Sequence, residues 1–227
     1  MDNYTVNFII IGNPNVGKTN IVYRFVNGEF ISDYQNTITV DYSIKKVKID
    51  NKILKLQIWD TAGSEKFSSI RQPYYKNAAC AIIVYDITNE ESFKSIDKWI
   101  EECDYCYNNN LIIALVGNKS DLSKDRKVSE EDGKKLKERY NKYNIEFYES
   151  SALNGYNIEE IFFNSCRKVN ELIKNENEGN GIEINNEDNE DNEIYDKTIL
   201  RISLVNKNEK NNNNNNNNIT TKTCSGC

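Results

Sequence analysis

Histidine is absent from this 227-residue chain. Its absence excludes every histidine-based catalytic triad and every histidine-ligated metal site. No stretch reaches the roughly 18 apolar residues that a membrane-spanning helix needs. The opening MDNYTVNFII lacks the basic leader and long apolar run of a signal peptide. Asp2 stands where N-myristoylation requires glycine. A basic excess is missing too: the net charge is −6, with 24 basic and 25 acidic residues up to Lys174 and 5 basic and 10 acidic beyond it. Nothing there neutralises a nucleic-acid backbone, so no nucleic-acid partner is expected. These absences point to the reducing cytosol, where the six cysteines stay as thiols.

What is present divides in two. Residues 1–174 carry regular apolar segments and suffice for one core. Residues 175–227 are rich in Asn, Glu and Asp and include the low-complexity run Asn211–Asn218. Within this tail Ile199–Val205 is a small apolar island, readable as a transient extended segment or as a docking patch for an escort protein.

Along the first part, Tyr4–Ile11 reads as a buried strand stopping at Gly12, followed by a helix from Gly17 to about Asn27. Val40–Ile49 and Lys52–Asp60 read as paired strands, with Leu54, Leu56 and Ile58 alternating onto one face. The apolar runs Ala79–Asp86 and Leu111–Gly117 suit parallel strands covered on both sides. A helix is expected around Phe93, Ile96, Trp99, Ile100 and Cys103, with Ser92 as a weak cap. Another begins at Ser129 and runs to about Lys142. Ile145–Glu149 is a last strand, and Ile158, Ile161, Phe162, Val169 and Ile173 mark a last helix. This alternation predicts an α/β fold, a doubly wound and mostly parallel sheet of about six strands, with ligands at the carboxyl ends of the strands.

Three segments carry chemistry. Gly12-Asn13-Pro14-Asn15-Val16-Gly17-Lys18-Thr19 fits G-x-x-x-x-G-K-[ST] between a strand and a helix. In that context the loop's N–H groups and the helix start cradle phosphate. Lys18 reaches the β- and γ-phosphates, and the Thr19 hydroxyl holds Mg²⁺. Asn118-Lys119-Ser120-Asp121 selects the base: a carboxylate at Asp121 accepts from guanine N1–H and the 2-amino group, which adenine lacks. Trp59-Asp60-Thr61-Ala62-Gly63 ends a strand, so Asp60 meets the Mg²⁺ shell and the Gly63 N–H meets the γ-phosphate. Thr37, in the loop Tyr34–Thr39, offers a hydroxyl to Mg²⁺ and an N–H to the γ-phosphate.

Together these segments resemble the Ras superfamily of small GTPases over residues 5–174, and within it the Rab family. Lys55–Trp59, Tyr74–Ala78 and Ile83–Thr88 look like the Rab strand before DTAG, the YYRGA segment and the LVYDIT segment. Glu149–Ala152 is similar to the ETSA loop that touches guanine, which implicates Ser151 and Ala152. The resemblance also implies nucleotide contacts at Asn15, Val16, Asn20, Phe30 and Tyr34. It places the effector-facing aromatic triad at Tyr42, Trp59 and Tyr74. It implies Mg²⁺, bound GTP or GDP, exchange factors, activating proteins, effectors and prenyl escort proteins. The implied role is a switch in vesicle trafficking, whose loops 32–42 and 62–78 order around the γ-phosphate and are released on hydrolysis.

The chain departs from that pattern at several places. Ser64 stands where the family has the water-orienting Gln. Pro14 and Asn15 replace small residues, Thr39 a Gly, Tyr42 a Phe, and Leu153 a Lys. Ser64 opens a second reading, a GTP-binding module with little hydrolysis of its own. A P-loop ATPase or nucleotide kinase is a third reading, opposed by Asp121. Cys103-Asp104-Tyr105-Cys106 has no second pair or histidine to complete a zinc site and reads as two ordinary helix cysteines. The ending Thr223-Cys224-Ser225-Gly226-Cys227 is not a standard C-a-a-X. Rab-like endings carry geranylgeranyl groups on paired cysteines, and stable anchoring needs two signals. Without a polybasic run, both Cys224 and Cys227 are expected to be lipidated. That places the protein on the cytoplasmic face of a membrane, with a cytosolic pool.

Overall fold

A computed structural model describes residues 3–32, 40–50, 52–61, 63, 74–75, 77–106 and 111–179. Among them six strands form one sheet in the order β2-β3-β1-β4-β5-β6. The strands are β1 (Asn3–Ile11), β2 (Asp41–Ile49), β3 (Lys52–Asp60), β4 (Ala78–Asp86), β5 (Ile112–Asn118) and β6 (Asn144–Glu149). Only β2 pairs antiparallel, with Tyr42 opposite Trp59 and Val47 opposite Leu54. The other four pairings are parallel, so the expected doubly wound sheet is present.

Strand β4 is buried almost throughout and β5 entirely. Their continuous apolar runs follow from helices on both faces. On one face α1 (Lys18–Asn27) and α5 (Ile158–Gly179) cover Phe8, Ile10, Leu54, Leu56, Ile82 and Val116. The rings of Phe25 and Phe162 stack there at 3.9 Å. On the other face α3 (Ile96–Cys106) and α4 (Glu130–Arg139) cover Ile9, Ile11, Ile83, Tyr85 and Leu115. Both layers leave the carboxyl ends of β1, β3, β4 and β5 open along one edge.

Some boundaries differ from expectation for identifiable reasons. The helix expected to start at Ser92 is two pieces. A short α2 (Glu90–Lys94) is capped by Asn89, whose side chain accepts from the N–H groups of Glu91 and Ser92. Ser92 lies inside it, its hydroxyl donating to the Asn89 carbonyl at 2.7 Å and accepting from the Asp86 N–H at 3.0 Å. Ser129 caps α4 as expected, in a reciprocal box with Asp132, a motif that stabilises a helix by ~1 kcal/mol. That helix ends at Arg139 rather than Lys142. α5 continues past Lys174 to Gly179. The 3₁₀ segment Ser120–Asp125, right after the base motif, had no periodic signal. Among the described residues no helix is long and apolar enough to cross a membrane.

Candidate functional site

A cavity of about 550 Å³ opens along that carboxyl edge. Its walls include Asn15, Lys18 and Thr19 from the phosphate loop and Phe30 after α1. Gly63 follows β3, Asn118 ends β5, and Lys119 and Asp121 follow it. Segments far apart in sequence thus converge on one hollow.

The loop after β1 is built around its lysine. Lys18, 6% exposed, donates from Nζ to the carbonyls of Gly12 at 3.0 Å and Asn13 at 2.9 Å. Gly17 precedes the helix at φ 94°, and a Cβ there would sit 2.4 Å from Asn118 Nδ2. Only glycine lets the loop press against the base motif at this point. The contact is then sealed by Asn118 Nδ2 donating to the Val16 carbonyl at 2.8 Å. Asn118 Oδ1 accepts from the Ala152 N–H at 3.2 Å and the Ser150 hydroxyl at 3.3 Å. One buried amide therefore joins the phosphate loop, β5 and the loop after β6.

Base-side geometry follows from the same anchor. Lys119 sits at φ 67°, and its Nζ pairs with Asp86 Oδ2 at 2.6 Å. Asp86 is held in turn by the Thr88 N–H and hydroxyl, at 2.8 and 2.7 Å. The Ser151 hydroxyl donates to Asp121 Oδ1. Phe30, Leu122 and Leu153 are exposed apolar side chains at this end of the cavity, a surface that suits a flat heterocycle. Asn20 does not face the base region alone: its Oδ1 accepts from the Ile31 N–H at 3.1 Å and so fixes the segment carrying Phe30.

At the opposite end, Asp60 is 4% exposed. The Thr19 hydroxyl donates to its Oδ2, while Oδ1 is buried with no hydrogen-bond partner among the described residues. Burial pushes this carboxyl up to about 6, against the Thr19 hydrogen bond and the positive charge of Lys18. A buried oxygen without a partner costs free energy until a donor or cation meets it. The oxygens of Thr19 and Asp60 fit Mg²⁺, which takes one or two carboxylates and completes its shell with phosphate and water. Among the described residues no cluster of three carboxylate, thiolate or imidazole side chains converges.

Gly63 lies against the phosphate loop. A Cβ on it would meet the Asn13 carbonyl carbon at 2.5 Å and Lys18 Nζ at 2.6 Å. Its backbone accordingly packs against Asn13, Pro14 and the Lys18 ammonium. Tyr42, Trp59 and Tyr74 form one aromatic stack, with ring centroids 5.2 and 4.6 Å apart. Tyr34, Thr37, Ser64, Cys224 and Cys227 lie outside the described residues.

Sequence reasoning missed two supports. Arg24 donates from Nε to the Ala152 carbonyl at 2.9 Å and from Nη1 to the Gly28 carbonyl at 2.8 Å, and its Nη2 reaches the Leu153 carbonyl. It clasps the loop after β6 to the end of α1. A lone arginine on a helix gives no signal for such a contact. Asp86 was legible only as part of a family-like segment, and its ion pair with Lys119 depends on the pairing of β4 and β5.

Comparison with known proteins agrees with this geometry. The sequence model of the Ras family matches residues 7–171. The Ras-related protein RABA6b of Arabidopsis thaliana is 41% identical over 170 residues, covering 75% of this chain and 73% of that protein. The GTP-binding protein YPT1 of Saccharomyces cerevisiae is 41% identical over 174 residues, covering 77% and 83%. The Ras-related protein RABA6a of Arabidopsis thaliana is 41% identical over 182 residues, covering 78% and 77%. The chain belongs to the Rab family of small GTPases, within the Ras superfamily.

Proposed function

We propose that this protein cycles between GDP and GTP forms as a membrane-anchored regulator of vesicle traffic. One observation supports the site reading above all others. The cavity runs from the Asp121 carboxylate past the phosphate-binding loop to Thr19, whose hydroxyl donates to a buried Asp60 carboxylate with one oxygen unpartnered among the described residues. A molecule with a guanine at one end and a Mg²⁺-bound triphosphate at the other satisfies both. The yeast relative's name, a GTP-binding protein, supports the same ligand.

In this reading Asp121 accepts from the guanine edge, and Phe30 and Leu153 cover its faces. Gly12, Asn15, Val16, Gly17 and Lys18 surround the phosphates. Thr19, Asp60 and Thr37 hold the magnesium, which neutralises charge on the β- and γ-phosphates when bound. Gly63 and Thr37 give N–H groups to the γ-phosphate, and their release on hydrolysis is the switch. Effectors read Tyr42, Trp59 and Tyr74. The GTPase unit is residues 1–174, with residues 175–227 as the tether.

Ser64 motivates a second reading, a GTP-holding module with little turnover. A serine is too short to place the attacking water as Gln does. Single-turnover GTP hydrolysis separates the two, with and without Rab-directed activating proteins. Turnover restored by such proteins supports the cycling switch; none under either condition leaves the module. Ser64→Gln is expected to raise the intrinsic rate several-fold, up to ~10–100-fold for ~1–3 kcal/mol of restored orientation. An unchanged rate would show that another group positions the water.

The anchor is tested separately. Replacing both Cys224 and Cys227 by Ser is expected to move the protein from membrane to soluble fractions in cells, and either change alone to weaken anchoring. Mass spectrometry of the native C-terminus that finds no isoprenoid would refute it.

A further inference from the structure

We infer that the Asn13 side chain is a positioning residue that sets the phosphate loop for the γ-phosphate; this rests on the proposed GTP site. The carboxamide of Asn13 is used at both ends. Its Oδ1 accepts from the indole Nε1–H of Trp99 at 2.8 Å. Its Nδ2 donates to Ser95 Oγ at 3.0 Å. The Ser95 hydroxyl donates onward to the Glu91 carbonyl at 2.8 Å. The direction of this chain is fixed: an indole nitrogen only donates, so the amide oxygen must face it. Ser95 has its proton committed to Glu91 and meets the amide nitrogen with a lone pair. Asparagine supplies the acceptor and the donor that these two neighbours require.

The partners are firm ground. Trp99 is 4% exposed and packed in the core between α3 and the sheet. Ser95 closes α2, its N–H bonded to the Glu91 carbonyl at 3.1 Å. The loop is thus tied, 82 and 86 residues ahead in sequence, to the junction of α2 and α3.

What the tie holds is the Asn13–Pro14 peptide. Lys18 Nζ donates to its carbonyl at 2.9 Å. Gly63 packs onto it so closely that a Cβ would lie 2.5 Å from Asn13 C and 2.5 Å from Pro14 N. Pro14 offers no N–H to fix the peptide from its other side. Asn15, next along, is held at φ 64°. The two groups assigned to the γ-phosphate, the Lys18 ammonium and the Gly63 N–H, therefore share one seat. Its position depends on the Asn13 side chain. In the proposed site the base rests on Asp121, Phe30 and Leu153, and the β-phosphate is also held by N–H groups further along the loop, so loosening the seat penalises GTP more than GDP.

The test measures dissociation rates of fluorescent GTP and GDP from the full chain with Mg²⁺. Wild type, Asn13→Ala, Trp99→Phe and the double variant are compared. Circular dichroism and the melting midpoint of the GDP form confirm folding. Two side-chain hydrogen bonds of ordinary strength predict GTP release ~5–20-fold faster for Asn13→Ala, with GDP release changed less than about 3-fold. Trp99→Phe, which keeps a buried ring and removes the donor, is expected to shift the ratio the same way. The double variant should be no worse than the worse single one, since both remove one interaction. Equal acceleration of both nucleotides, no change, or additive effects would overturn the inference. If Asn13→Ala does not fold, Trp99→Phe and Ser95→Ala decide it alone by the same ratio. A wild type that holds neither nucleotide overturns both this inference and the site reading. One that holds both, with variants that leave the ratio unchanged, overturns only the role of Asn13.

Discussion

Replacing Asp121 by Asn is expected to weaken GTP binding by on the order of 10²–10⁴-fold and to make xanthosine triphosphate the preferred ligand. In the proposed site the carboxylate accepts two hydrogen bonds from guanine, at N1–H and at the 2-amino group. A carboxamide retains one acceptor and turns an N–H₂ toward a donor. Each donor left unsatisfied at a covered site costs about 1–3 kcal/mol. Xanthine carries a carbonyl in place of the 2-amino group, so the new amide donates to it. The surroundings favour a clean exchange of preference. Asp121 is oriented by the Ser151 hydroxyl, and Asn118 separately holds the loop framework by 2.8 and 3.2 Å bonds. The substitution therefore alters the base reader without dismantling the cavity. Competition titration with GTP, ATP and xanthosine triphosphate measures it. A wild type that takes ATP as tightly as GTP, or a variant that still prefers GTP, would end the base assignment.

The sheet was legible because its signals are local. Ala81–Tyr85 and Ile112–Val116 are uninterrupted apolar runs, and such runs are read from few residues. Leu54, Leu56 and Ile58 alternate because β3 has unlike faces. The phosphate and base motifs were legible because each is a short contiguous string beside a strand end. Less local features escaped. Asn89 caps α2 through a turn with no apolar periodicity, so the apolar stripe at Phe93 and Ile96 drew attention to Ser92 instead. The 3₁₀ segment after Asn118 is short, polar and without a period. Arg24, Asn13 and Asp86 act on groups tens of residues away. Their roles exist only once β1, β4 and β5 lie side by side and α1 meets the loop after β6. Motif strings name the groups that meet the ligand; the residues that hold those groups still are found by topology.

Thr19→Asn is expected to lower the preference for GTP over GDP by ~10–100-fold in the presence of Mg²⁺. The Thr19 hydroxyl is on the second residue of α1, next to Lys18, and donates to Asp60 Oδ2. That bond orients a carboxylate whose other oxygen is buried without a partner among the described residues. Asparagine places a longer, planar amide at this point. It displaces the hydroxyl from the ion's position and also loses the bond that holds Asp60. A charge-assisted hydrogen bond contributes about 1.5–3 kcal/mol, which sets the size of the effect. The loss falls chiefly on GTP because a bound magnesium would neutralise charge on its γ-phosphate, whereas GDP would keep most of its hold through the base and the loop N–H groups. Affinities for both nucleotides, measured with Mg²⁺ and again with chelator, separate the ion's share from the loop's. The selective loss should shrink when the ion is removed. An equal proportional loss of affinity for GTP and GDP relative to wild type, or a loss that is the same in chelator, would show that Thr19 and Asp60 do not hold the ion.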